Sequence, residues 1–300
     1  MSVHTQAGNM ADVVFCCRNA LGEGPLWDPA SNVLYWVDLL GKQLFKGNPV
    51  DGSFESQSLP FAASRATLCD DGQLLISFLR RPAFGAFGSD DYMLIDLGDI
   101  VAAGQRFNDG ACDAAGRFWT ATYDGDRGSA NGRLVAIEGS RVSVKAEGVR
   151  MPNGIRWSPD GKTMYFVDSW PGQVWAYDFD AGAGVLGNRR LFLDFEGTGV
   201  KPDGCAIDEQ GCLWIAEVNR SRVARYTPSG TLDSVVLVPA DKPTSVSFGG
   251  GDRRTLYITS RTDGLSDAAL ALQPQAGAVF AACVSTPGLP EHPFRRASVR

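Results

Sequence analysis

Short apolar runs alternate with turns rich in Asp, Gly and Pro. One such phrase recurs along the chain as DPASNVLYWVD, CDDGQLLISF, DAAGRFWTAT, SPDGKTMYFVD, DEQGCLWIAE and GDRRTLYITS. Aligned on the first large apolar residue, the copies are anchored at Leu34, Leu74, Phe118, Met164, Leu213 and Leu256, with spacings of 40, 44, 46, 49 and 43 residues. Several units show further strands after the anchor, as in MYFVD, QVWAYDFD and RRLFLDF. In VWAYDFD, Val174, Ala176, Asp178 and Asp180 fall on one face and Trp175, Tyr177 and Phe179 on the other, which is the period of a strand. No window of a dozen residues carries a helical apolar stripe; short helical turns are expected only around 100–104 and 267–272. Six units of 40–49 residues made of short strands match the blade period of a β-propeller. The expectation is one domain over residues 1–300. It should close by pairing Val13–Cys17 beside Gly277–Val284, since strands left at open edges invite aggregation.

In a propeller the innermost strand of each blade lines the channel, so equal offsets before the anchors should face one place. Ten to twelve residues back stand Glu23 (LGEGP), Ser64, Asn108 (RFNDG), Asn153 (MPNG), Asp203 (KPDG) and Thr244 or Ser245. Four of the six carry Glu, Asn, Asn or Asp, each with a glycine directly after it or one residue later, where a bare backbone is expected to come close to a ligand. Neighbouring carboxylates repel unless a cation sits between them, and such oxygens suit Ca²⁺, Mg²⁺ or Mn²⁺. The expected architecture is therefore an all-β, six-bladed β-propeller with a central metal-binding channel. Arg106, two residues before Asn108, should enter the same channel, the alternative being a surface salt bridge. Asp113, Asp160 and Asp208, in the D-x-x-G turns, read as structural hairpin residues.

Composition narrows the chemistry. A net charge of −6, with basic clustering only at the tail residues Arg295, Arg296 and Arg300, argues against a nucleic-acid partner and reads those arginines as solvated. No apolar run approaches a membrane span and residues 1–20 lack a leader pattern, so no membrane partner is expected. Seven cysteines without a C-x-x-C read as reduced thiols of a cytoplasmic protein. Only His4 and His292 are present, each near a chain end, which disfavours a Ser-His-Asp triad, a Cys-His pair or a multi-His zinc site.

The segments LGEGPLWDPASNVLYWVD, RFNDGACDAAGRFWTATYDGD, MPNGIRWSPDGKTMYFVDS, KPDGCAIDEQGCLWIAEVNRSRVARYTPSG and KPTSVSFGGGDRRTLYITS resemble, in order, the SMP-30/gluconolactonase/regucalcin-like family of sugar lactone lactonases, from about Leu21 to Arg261. The resemblance implies one divalent metal held by Glu23, Asn153 and Asp203, with Ca²⁺ first by ligand type and Zn²⁺, Mn²⁺, Mg²⁺ or Fe²⁺ as alternatives. It also implies Asp203 as catalytic base and Arg106 and Asn108 as substrate contacts. Asp126, in TYDGDRG, stands near the place of a substrate-contacting Glu in some relatives. The implied activity is hydrolysis of a small lactone substrate by a monomer or weak homo-oligomer. A phosphotriesterase-like esterase and a non-catalytic calcium-binding propeller are the other readings of the same fold.

Overall fold

Each anchor begins the second strand of a four-stranded antiparallel blade and pairs with an apolar residue at the end of the strand before it. The pairs are Leu34 with Trp27, Leu74 with Leu68, Phe118 with Cys112, Met164 with Trp157, Leu213 with Ile207, and Leu256 with Phe248. In the computed structural model, which describes residues 9–125 and 129–296, the first strands of blades one to six are Gly22–Asp28, Ala63–Leu68, Gln105–Cys112, Pro152–Trp157, Lys201–Ile207 and Pro243–Gly249. Each lies beside the first strand of the next blade, and the sixth lies beside the first. These inner strands line the centre of a closed six-bladed propeller. Asp12–Phe15 pairs antiparallel with Val279–Cys283 and completes blade six, the closure the sequence suggested. Asn9–Met10 adds an unforeseen parallel strand to Leu232–Leu237 of blade five. A helix forms at Asp267–Leu272, whereas 100–104 is turn ending at Gly104, whose φ of 85° is incompatible with continuing a helix. Among the described residues no helix is long and apolar enough to cross a membrane, and all seven cysteines are free thiols.

Six apolar clusters fill the six blade interfaces. The interface of blades six and one is sealed by Phe15, fully buried and stacked at 4.8 Å on the fully buried Trp36. Burying a ring of this size stabilises by roughly 2–3 kcal/mol. The turn aspartates are structural, as read from sequence. Asp113 accepts from Arg117 Nε and Trp119 Nε1. Asp208 accepts from Arg225 Nε and Trp214 Nε1. Asp160 accepts from the Lys162 N–H and the Ser158 hydroxyl.

The tail is not a solvated arm. Residues 285–296 form a strap across the channel end where the inner strands finish. Leu289 N donates to Ile207 O of blade five, Arg253 Nε of blade six to Gly288 O, and Phe294 N to Leu68 O of blade two. Arg295 N donates to Gly116 O of blade three. Phe294 is fully buried between blades two and three. Arg296 pairs with Asp71 and lies 4.2 Å over the Phe84 ring, which corrects its reading as solvated; Arg300 lies outside the described residues. Glu291 reaches from the strap into the channel and pairs with Arg65 and, at 2.9 Å, with Arg156.

The glycines after the ring residues serve packing. A Cβ on Gly154 would lie 2.8 Å from Cys205 N, and one on Gly204 2.5 Å from Ser245 Cβ. Each lets the next inner strand approach, so the expected close approach to a ligand is replaced by close approach of blades. Gly204→Ala should destabilise by about 1–3 kcal/mol through overpacking. A thermal melt superimposable on that of the parent would exclude this role.

Candidate functional site

All six inner strands are bulged at the offset singled out by the sequence. Register shifts fall between Glu23 and Leu26, Ala63 and Arg65, Phe107 and Gly110, Pro152 and Ile155, Pro202 and Cys205, and Pro243 and Ser245. A bulge interrupts the ladder and re-aims the unpaired residues. Here it frees the ring side chains to bond from blade to blade. Ser64 Oγ donates to Asn108 O at 2.7 Å, and Asn108 Nδ2 donates to Pro152 O and to Asn153 Oδ1 at 2.8 and 2.9 Å. Asn153 Nδ2 donates to Ser169 Oγ at 2.6 Å, and that hydroxyl donates to Pro202 O. Thr244 Oγ1 donates to Gly22 O and ties blade six to blade one.

Two ring members stand apart from these bonds. Asp203 Oδ1 is shielded from solvent and has no hydrogen-bond partner. Glu23 is 9% exposed. Burial pushes the Glu23 carboxyl well above its usual range, and the nearby charges of Asp203 and Asp109 push it further, with Arg261 opposing. Burial likewise raises Asp203 to about 7, against the pull of Arg261 and the Gly204 N–H and with the help of Asp109. Asn153 gives its Oδ1 to Asn108 but keeps a second lone pair on that oxygen.

The structure thus brings Glu23, Asn108, Asn153 and Asp203 to one level of the channel. Asn108 bonds Asn153 directly, and Ser169 ties Asn153 to the carbonyl next to Asp203. Among the described residues no three His, Cys, Asp or Glu side chains form a metal cluster. The set is instead two carboxylates and an amide, and a hard divalent cation fits it because it would neutralise both acids and engage the orphaned Asp203 oxygen. Arg106 is half-buried, its guanidinium 5.0 Å from the centroid of the Tyr123 ring and its Nε shielded without a partner. Asp126 lies outside the described residues.

Sequence reading missed three layers of the site. Asp38 and Asp168 end second strands and clamp the backbone entering Glu23 and Asn153: Asp38 accepts from Ala20 and Leu21 N–H, Asp168 from Arg150 and Met151 N–H. Below the ring, Asp109 Oδ1 meets the fully buried Arg65 at 3.4 Å, and Arg65 in turn meets Glu291. Burial opposes the charge on Arg65, but Glu291 and Asp109 outweigh it and raise its pKa. Arg261, after the second strand of blade six, acts on both Glu23 and Asp203.

Residues 21–262 match the family described as SMP-30/Gluconolactonase/LRE-like region. The chain is 36% identical to the 6-deoxy-6-sulfogluconolactonase of Pseudomonas putida, over 92% of this chain and 95% of that one. It is 34% identical to the regucalcin of Gallus gallus, over the same shares. Among solved structures, a calcium-binding protein, regucalcin, of Agrobacterium tumefaciens superposes with a TM-score of 0.92 at 28% identity, over 98% of this chain and all of that one.

Proposed function

Because the chain belongs to the SMP-30/gluconolactonase/LRE-like family, we propose that it hydrolyses a sugar-derived lactone, an aldono-1,4- or 1,5-lactone or a close relative, to the hydroxy acid. It is a lactonase-type hydrolase, in keeping with relatives named sulfogluconolactonase and sugar lactone lactonase. The observation that carries the reading is the contrast within the ring. Ser64, Asn108, Asn153 and Thr244 are spent on blade-to-blade bonds, while Glu23 and the half-buried Asp203 place two carboxylates beside one another, Asp203 with an orphaned oxygen. A scaffold has no use for two such groups.

Glu23, Asn153 and Asp203 would hold the divalent cation, which supplies Lewis-acid polarisation of the lactone carbonyl when bound. Asp203 takes the proton from the attacking water and returns it to the ring oxygen as the C–O bond breaks, so one water is consumed and one hydroxy acid leaves. Arg106 offers a planar fork of donors to the oxygen on which charge develops, and Asn108 fixes the Asn153 amide that shares the site. Asp126 is proposed as a further substrate contact. A covalent acyl intermediate is not required.

The test is a pH-indicator hydrolysis screen over aldonolactones, simple aliphatic lactones and a phosphotriester. The protein is stripped by chelator and reloaded with Ca²⁺, Mg²⁺, Mn²⁺, Zn²⁺ or Fe²⁺. Activity on an aldonolactone should vanish on stripping and return with one of these ions, and reloading should also raise the melting temperature. Full turnover in protein shown to be metal-free by elemental analysis would overturn the metal. Phosphotriester turnover above every lactone would overturn the substrate class.

A further inference from the structure

Glu291 is held by alternate blades. Its carboxylate meets Arg65 of blade two and Arg156 of blade four, the latter at 2.9 Å, and accepts from Ser247 of blade six. Contacts to every second blade put it on the channel axis. Arg65 carries the contact toward the ring: its Nη1 lies 3.4 Å from Asp109 Oδ1, and the Gly110 N–H fixes that oxygen at 2.7 Å. Asp109, Arg65 and Arg156 are all buried. The channel beneath the ring therefore holds a row of alternating charge, Asp109, Arg65, Glu291 and Arg156. Its upper end is close enough to the ring for the Asp109 charge to act on both Glu23 and Asp203.

The four charges sum to zero only while the strap is seated, because Glu291 alone of the four comes from the strap. Without its carboxylate the row holds one anion and two guanidiniums. An arginine does not shed its charge, and a buried charge is screened far less than a surface one. The row then becomes net positive beneath the carboxylates proposed to hold a divalent cation, and repels that cation. Without Arg156 the row is net negative and attracts it. Arg261 also acts on Glu23 and Asp203, but it is the same in either case and does not change the sign. We propose that Glu291 is a positioning residue of the metal site: touching neither metal nor substrate, it neutralises Arg65 and Arg156 so that Asp109 can favour a divalent cation at Glu23, Asn153 and Asp203. This rests on the metal assignment in the function proposed above and not on the choice of lactone.

The experiment strips the full chain by chelator and titrates it calorimetrically with Ca²⁺, Mg²⁺, Mn²⁺ and Zn²⁺, then follows the ion that the parent binds most tightly. Glu291→Gln keeps the shape of the side chain and removes its charge. It should weaken Kd by about tenfold, the scale of one unit charge acting on a divalent ion through a partly screened interior. The Glu291 side chain is 20% exposed, so the full unscreened effect is not expected. Arg156→Gln should tighten Kd by a similar factor. The double variant should return toward the parent value, the coupling that a double-mutant cycle measures. Both single variants should melt below the parent in the metal-free state, since each strands a partner of an ion pair. In Arg156→Gln stability and affinity thus move in opposite directions. A purely structural role predicts metal binding that is weaker or unchanged in both single variants; either result overturns the proposal and leaves the lactonase reading and its metal standing. A parent that binds none of these ions overturns the metal assignment and this proposal together.

Discussion

Asp203→Asn lowers kcat on the preferred lactone by about 10²- to 10⁴-fold, the range of a lost general base. The substitution is isosteric and keeps an oxygen directed at the ring, so the fold should be unaffected. It removes the group that accepts the proton from water, and it removes one of the two neighbouring carboxylates whose repulsion calls for a cation. Two effects must be separated. Metal affinity should fall, so the kinetics are run at metal saturation defined by calorimetric titration of the same variant. Glu23→Gln serves as the reference: it should weaken metal binding while recovering more of kcat at saturation, because Glu23 has no proton to move. Near-parent turnover of Asp203→Asn at saturating metal would remove Asp203 from the chemistry.

Glu291→Ala should cost about 3–5 kcal/mol, the usual penalty for stranding one partner of a buried pair. Arg65 is the stranded group: it is fully buried, and its other ion pair, to Asp109, is the longer one at 3.4 Å. For a chain of this length the melting temperature should drop by roughly 10 °C. The pH dependence has a definite sign. Burial acts to raise the Glu291 pKa, but Arg65 and Arg156 outweigh it and hold the carboxyl below its usual range. Its stabilisation is therefore full above the ordinary unfolded value near 4.3. It is lost as pH falls through the lowered folded one. Glu291→Gln should show a shallower loss of melting temperature between about pH 5 and 3 than the parent. Parallel acid limbs would show that the pair contributes nothing.

The blade count, the closure and the ring residues were legible because each is written in local pattern. The anchors repeat with a turn before them, and Glu23, Asn153 and Asp203 each stand beside a glycine. The bulges were not legible, since a bulge is a pairing event with no residue type of its own. That is why Asp109 escaped notice: simple alternation turns it away from Asn108, yet the shift between Phe107 and Gly110 brings it to the channel and to Arg65. Arg261 escaped because it follows a second strand, outside the offset that was counted. Glu291 escaped because its partner Arg65 lies 226 positions away, and an ion pair that distant leaves no trace in sequence.

The order in which this chain is made runs against the order in which it must join. Asp12–Phe15 is made more than 260 residues before its partner, Val279–Cys283, and before the strap that follows it. Until residue 279 has been made, Val13, Val14 and Phe15 have no strand to lie against, and the stack of Phe15 on Trp36 that joins blade six to blade one has nothing to hold it in register. Unpaired strands of this kind are what nascent-chain chaperones recognise. Ring closure, and with it the seating of Glu291 beneath the site, waits for these late segments, so a stalled or truncated product that ends before residue 279 lacks the closing strand and the strap together.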